Sequence, residues 1–245
     1  VPYPFALIPF VSGAAAWTPL DLGATLVRWY ASTVTISSGH VATWTDETGN
    51  VDATSASPAS TGPTASVASG HEIIAFDGTQ FLDTSAARPF TSAGTIFGRF
   101  KTSSIVQYTA VMSKWFANTA WHLGGYQSSG SSGFLNFIIG NGIASPAVSD
   151  NALDDGAWHS FIATYQAPTV ALEVDGVAQG TTGSFAGEVP DTADHIGIGA
   201  ALNSSGGSPF GPFTGSMQSM GICDTEITGA NRTQLRAYLA SLPSP

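Results

Sequence analysis

Between Asp154 and Gly176 the chain reads DDGAWHSFIATYQAPTVALEVDG, a run that admits few folds. His159, Phe161, Ala163 and Tyr165 share one face of a period-two pattern, and Val170, Leu172 and Val174 share one face of a second. Gln166-Ala167-Pro168 separates them as a turn, because proline has no N–H to give to a central ladder. Asp175-Gly176 is a two-residue hairpin signal, since such turns need residues that accept positive φ. The run therefore predicts a three-stranded antiparallel meander with His159 on its apolar face as a hydrogen-bonded core histidine.

The same spacing recurs along the chain. Short strands are expected at 25–30, 41–45, 73–75, 81–82, 95–101, 106–113, 121–127, 134–139, 195–200 and 213–223, each bounded by Gly, Ser or Pro. Asp46-Glu47-Thr48-Gly49-Asn50 is a turn cluster, and the Ala-, Ser- and Thr-rich stretch from Asp52 to Gly70 reads as a loop. No long segment of 3.6-residue period lies between the strands, which excludes a parallel α/β sheet and favours a two-sheet antiparallel sandwich. One helix is expected near the end, where Leu235, Tyr238 and Leu239 fall at i, i+3 and i+4 behind Thr228 as N-cap. At 245 residues the whole suits a single domain over 21–245, preceded by an extended arm over 1–20.

Three ordered pieces carry a family likeness. They are W-x-D-x-x-G-N (Trp44–Asn50) with I-x-F-D-G-x-x-F-L (Ile74–Leu82), then W-H-x-F…L-x-V-D-G (Trp158–Gly176), then the terminal T-x-x-x-R-x-x-L-x-x-Y-L helix. Together they resemble the laminin-G-like, concanavalin-A-like jelly-roll modules found in bacterial and phage surface proteins. The resemblance implies an all-β, two-sheet antiparallel jelly-roll sandwich with a short C-terminal helix. It does not by itself imply an activity, because this fold carries glycoside hydrolases and binding modules alike.

Composition removes several functions. With 17 acids against seven bases and a net charge of −10, the chain lacks the basic cluster needed to neutralise phosphates, so nucleic acid is not an expected partner. No run approaches the roughly 18 apolar residues of a membrane span, and Pro2, Pro4 and Pro9 interrupt the apolar N-terminus. Cys223 is the single cysteine and reads as a buried small hydrophobe. Glycoside hydrolysis needs paired carboxylates about 5.5 Å apart for retention. The one i, i+2 pair on a strand is Glu173 with Asp175, of which Asp175 serves the turn and Glu173 reads as a solvated outer-face residue. G-x-S-x-G and H-x-x-x-H are absent, so no enzymatic activity is expected. Asp150, Asp154 and Asp155 form an acidic loop that is either a Ca2+ candidate or a soluble turn; no cofactor is otherwise implied.

Binding is the favoured class. Sugars stack their C–H faces on aromatic rings and hydrogen-bond through hydroxyls. Trp115, Phe116, Trp121, His122, Tyr126 and Asn136 are the glycan candidates, with burial of the tryptophans in paired strands as the competing reading. The loop from Asn203 to Phe213 is a second candidate surface. Tyr3, Phe5, Leu7, Ile8 and Phe10 make the N-terminal arm a candidate for docking on protein subunits of a larger assembly. The expected function is a non-catalytic adhesion or cell-surface glycan-binding module, displayed in many copies at a virion surface or otherwise extracellular, as capsid decoration or for host attachment. A purely structural cementing protein is the alternative, and a secreted glycoside hydrolase or polysaccharide lyase the third.

Overall fold

A computed structural model describes residues 17–55, 61–68, 70–84, 91–114, 120–126, 132–140, 145–189, 195–202 and 209–244. The N-terminal arm residues Tyr3, Phe5, Leu7, Ile8 and Phe10, and the glycan candidates Trp115 and Phe116, lie outside the described residues.

The strands, numbered in chain order among the described residues, form two layers. The front layer contains β1 (Leu26–Ser37, its second half), β2 (His40–Asp46), β3 (Ala53–Ser55), β6 (Leu82–Thr84), β8 (Ala110–Lys114), β9 (Trp121–Gly124), β10 (Asn136–Ile139), β11 (Ala147–Val148) and β16 (Ile196–Ile198). Its spatial order is β1-β2-β3-β6-β16-β8-β9-β10-β11. The back layer contains β4 (Thr64–Ala68), β5 (His71–Asp77), β7 (Ala93–Lys101), β12 (Trp158–Gln166), β13 (Thr169–Val174), β14 (Val177–Ala178), β15 (Gly183–Ser184) and β19 (Thr214–Cys223), joined by the first half of β1. A small hairpin, β17 (Ala201–Leu202) with β18 (Pro209–Phe210), stands apart, and α1 spans Gly229–Ser241. Every pairing is antiparallel. β1 changes layers at a register shift between Tyr30 and Val34, so that one strand pairs with β19 behind and β2 in front. The architecture is the two-sheet antiparallel sandwich expected from the alternation and the jelly roll that the resemblance implies.

Alternation also builds the core. Tyr30, Trp44, Phe76, Phe100, Trp121, Phe137, Phe161 and Tyr165 fill the space between the layers. A second cluster lies behind the back layer, where α1 lays Leu235, Tyr238 and Leu239 on Trp29, Phe97, Ile162 and Cys223. Gly221 is what admits this layer: a Cβ there would meet the Phe97 ring at 2.1 Å, so only glycine lets the ring lie over β19. Cys223 is buried, and burial raises its thiol pKa. Thr228 occupies the N-cap with extended backbone, but its side chain makes no capping hydrogen bond.

The hairpin prediction holds in detail. Asp175 and Gly176 have φ of +50° and +79° and join β13 to β14. Several boundaries differ, and β1 in particular runs on to Ser37, past the strand expected at 25–30. The stretch from Asp52 to Gly70 holds β3 and β4, strands of small hydroxylated residues that carry no apolar stripe; β4 lies at an edge with Val67 exposed. The strand expected at 106–113 starts at Ala110, because Val106–Thr109 forms a turn with Tyr108 at φ +66°. Gly124 and Gly125 pack against that turn, where any Cβ would strike the Thr109 and Val106 carbonyls, and β9 ends there.

Candidate functional site

Strand register places one row of side chains across the outside of the front layer: Thr35, Thr43, Thr54, Asp83, Gly197, Ser113, His122 and Ile138. Its two halves differ. Thr35 and Thr54 are exposed and Thr43 half-buried, whereas Gly197 to Ile138 is buried. Covering begins at Gly197, where the Leu202 side chain of the β17–β18 hairpin would lie 3.1 Å from a Cβ. At the border Asp83 takes a hydrogen bond from His195 Nδ1 at 2.8 Å.

Three of the glycan candidates, Trp121, His122 and Asn136, are buried. Trp121 is fully buried between the layers, so it offers no ring face to a ligand. His122 is buried, its Nε2–H donating to the Gly125 carbonyl at 3.1 Å, and burial pulls its pKa down to about 4. Asn136 is buried and donates its amide to the Phe134 carbonyl at 2.9 Å. Tyr126 is half-buried. Trp121, His122 and Asn136 are therefore packed inside rather than set on an open platform, whereas Tyr126 keeps part of its surface exposed. Of the second candidate surface, Phe213 is buried in the core and Phe210 packs edge-on to Tyr108.

The acidic loop is likewise engaged. Asp150 accepts the Gly180 N–H at 2.9 Å, Asp155 accepts the Ala157 N–H at 2.8 Å, and Asp154 lies beside Gly133. The Asp150, Asp154 and Asp155 carboxylates do not converge, and among the described residues no three metal-capable side chains do.

Two hollows remain. The first, about 260 Å³, sits beside the open half of the front row and is lined by Ser55, Thr61, Thr79, Gln80 and Phe81. Phe81 and Asp83 flank the core residue Leu82, so both turn away from the core. Asp77 fixes the rim by accepting from Thr79 N–H and hydroxyl, while the Gln80 amide oxygen accepts the Asp77 N–H at 3.2 Å and leaves its NH2 donors to the hollow. These residues stand inside the I-x-F-D-G-x-x-F-L stretch, but their convergence with Ser55 and Thr61 depends on the β3–β6 pairing.

The second hollow, about 370 Å³, is a cleft between the back layer and the end of α1. Register sets Gln218, Arg99 and Ser160 side by side on β19, β7 and β12. The Arg99 guanidinium lies 5.3 Å over the Trp158 ring, and its Nη atoms donate to the carbonyls of Leu242 and Pro243 and the hydroxyl of Ser244. Glu173 is not the solvated residue expected. It is 1% exposed, because α1 covers it, and it is bound by Arg232 and Arg236. His159 also differs from expectation: partly exposed at the end of β12, it donates Nδ1–H to Asp175 at 2.8 Å and Nε2–H to Asp155 at 3.1 Å.

That bracket has a pH consequence. Hydrogen bonding to Asp175 raises the His159 pKa against the opposing effect of its burial, and Asp155 adds to the rise. Burial pushes the Asp175 carboxyl up, but hydrogen bonds from His159 and Ser160 outweigh it and bring the pKa below its ordinary value. The imidazolium thus stabilises the fold fully below the ordinary histidine value of about 6.5 and loses this as pH rises through the raised one. The Asp175 contribution is lost only as pH falls through its lowered value. The urea midpoint of the native protein should therefore drop between about pH 6 and pH 8 more than that of His159→Gln; parallel profiles would refute the coupling.

With this geometry in place, the comparisons become informative. A profile of the concanavalin A-like lectin/glucanases superfamily matches residues 76–231, more than half of the chain. The chain belongs to this superfamily. Among solved structures, the concanavalin A-like fold brings it close to domain 4 of AbnA, a GH43 extracellular arabinanase of Geobacillus stearothermophilus in complex with arabinotriose. The TM-score is 0.62 at 13% identity, covering 87% of this chain and 97% of that one. The receptor-binding domain of botulinum neurotoxin type G gives 0.58 at 9% identity, over 89% of this chain and 51% of that one. Trypanosoma rangeli sialidase in complex with the inhibitor DANA gives 0.51 at 16% identity, over 93% of this chain and 34% of that one. The chain thus spans about half of the toxin domain and a third of the sialidase. At these identities the likeness is one of fold, and that fold occurs in enzymes and in binding domains alike. No curated protein sequence matches the chain. No helix among the described residues is long and apolar enough to cross a membrane.

Proposed function

We propose that this superfamily member is a non-catalytic glycan-binding module whose site is the hollow around Phe81 and the adjoining threonine row. One observation carries the reading: among the described residues an aromatic ring, two threonines, a serine and a glutamine amide line a space of about 260 Å³, and the Asp77 carboxylate at its rim is held by Thr79. A neutral sugar needs that combination, a ring for its C–H face and neutral donors and acceptors for its hydroxyls. The fold's likeness to an arabinanase domain in complex with arabinotriose supports it. The front row supplies one carboxylate, Asp83, already held by His195, whereas glycosidic cleavage requires two. A single shallow site binds modestly, and display in many copies on a virion or other extracellular surface would convert it to firm adhesion.

The test is a neutral-glycan array that includes arabino-oligosaccharides, probed with the protein as monomer and on a multivalent carrier. Phe81→Ala should weaken binding to the responsive glycan about tenfold without moving the melting temperature by more than about 3 °C, since loss of a stacking ring costs about 1.4 kcal/mol. Binding unchanged in Phe81→Ala refutes the site, and sugar release from the same panel refutes the non-catalytic reading.

A further inference from the structure

The cleft under α1 has a different chemistry from the Phe81 hollow. In a chain with seven basic residues against 17 acids, two arginines, Arg99 and Arg236, line this one space. Their acidic neighbours are already satisfied. Glu173 takes Arg232 and Arg236, while Asp175 takes His159 together with the N–H and hydroxyl of Ser160. Among the described residues no carboxylate hydrogen-bonds to Arg99; Asp175, which lines the same cleft, acts on it only through its charge. Three of the five Arg99 N–H donors go to the Leu242 and Pro243 carbonyls and the Ser244 hydroxyl, leaving its Nε–H and one Nη2–H uncommitted.

Around it stand buried polar atoms with no partner. The Trp158 Nε1–H is shielded from solvent and unpaired, and Gln218, fully buried beside Arg99, has neither amide oxygen nor amide nitrogen paired. Of the two, Trp158 lines the cleft, whereas Gln218 neighbours Arg99 without lining it. Leaving such groups unsatisfied costs about 1–3 kcal/mol each, so an unpaired indole N–H beside a guanidinium with free donors marks a place prepared for a polar guest. The opposite wall is apolar, formed by Leu239 and the small side chains of Ala237 and Ala240.

We propose that this cleft binds a small carboxylate of sugar-acid size, with Arg99 and the Trp158 N–H gripping the carboxylate and the alanine wall of α1 taking an apolar face. Arginine supplies the paired donors that a planar carboxylate matches, and the indole adds a third at its edge. The site is independent of the Phe81 hollow, which lies beside the front layer.

The experiment titrates the full chain with galacturonate by calorimetry, with galactose and inorganic phosphate as controls. Saturable galacturonate binding is expected, at least about tenfold tighter than galactose or phosphate. Arg99→Lys should weaken it about tenfold, because one ammonium cannot replace the fork. Arg99 also holds the 242–244 segment, so Trp158→Phe, which keeps a smaller aromatic ring under Arg99 and removes the N–H, is the second arm and should weaken binding several-fold with a urea-derived stability within about 0.5 kcal/mol of the native protein's. Phe81→Ala should leave galacturonate binding intact. No heat from galacturonate, equal binding of galactose or phosphate, or full binding by Trp158→Phe would overturn the assignment.

Discussion

Trp121→Ala is expected to lower the stability of this domain by about 3–5 kcal/mol, the range for deleting a large aromatic side chain from a packed core. Trp121 has no solvent exposure and sits on β9 among Val111, Leu123 and Phe137 between the two layers. Domains of this kind hold only about 5–15 kcal/mol in total, so the variant should show a much lower urea midpoint and be partly unfolded at 37 °C. Trp121→Phe, which keeps the ring contact and leaves a smaller cavity, should recover more than half of the loss. The measurement also separates two roles for one residue. A surface platform would lose ligand affinity at constant stability, whereas the buried ring loses stability, and ligand with it. A Trp121→Ala melt within about 0.5 kcal/mol of the native protein would remove the ring from the core.

What could be read before folding divides by range of interaction. The Asp154–Gly176 meander was legible because its determinants are local: alternation, a proline, and two residues able to take positive φ. The Asp46 turn is of the same kind. Its buried carboxylate accepts the N–H groups of Trp29, Thr48, Asn50 and Val51, which explains why an acid stands third in the W-x-D-x-x-G-N motif. β3 and β4 escaped notice because strands of Ala, Ser and Thr carry no apolar stripe, and their pairing comes from neighbours.

The sites were less legible, since alternation tells which side of a strand a residue faces and not what covers that side. His122 does face away from the inter-layer core, as a platform residue should, yet it lies on the buried half of the row that Leu202 begins to cover. Glu173 also faces outward, but α1 lies over it. The cleft depends on Gln218, Arg99 and Ser160, which come from three strands far apart in the chain and meet only through register. No single stretch could have announced them.

Glu173 yields the other large effect. Its carboxylate is 1% exposed and receives Arg236 through Nε at 2.7 Å and Nη2 at 2.5 Å, with Arg232 Nε at 3.2 Å. Because both arginines project from α1, the double variant Arg232→Ala with Arg236→Ala strips every charged partner from a buried carboxylate. The expected loss is about 3–5 kcal/mol, the range for leaving a buried charge uncompensated. Arg232→Ala alone should cost about 1 kcal/mol, since the two-pronged Arg236 contact persists. Adding Glu173→Leu to the double variant should restore most of the stability, because the cost lies in the orphaned charge and an apolar side chain suits the Ile162–Leu239 surroundings. Urea midpoints would measure the three steps, and amide exchange in α1 would locate them. Faster exchange confined to the helix means that the charge cluster fastens α1 to the back layer. A double variant that loses no more than about 1 kcal/mol would mean that water reaches Glu173 and that hydrophobic contacts at Leu235, Tyr238 and Leu239 hold the helix unaided.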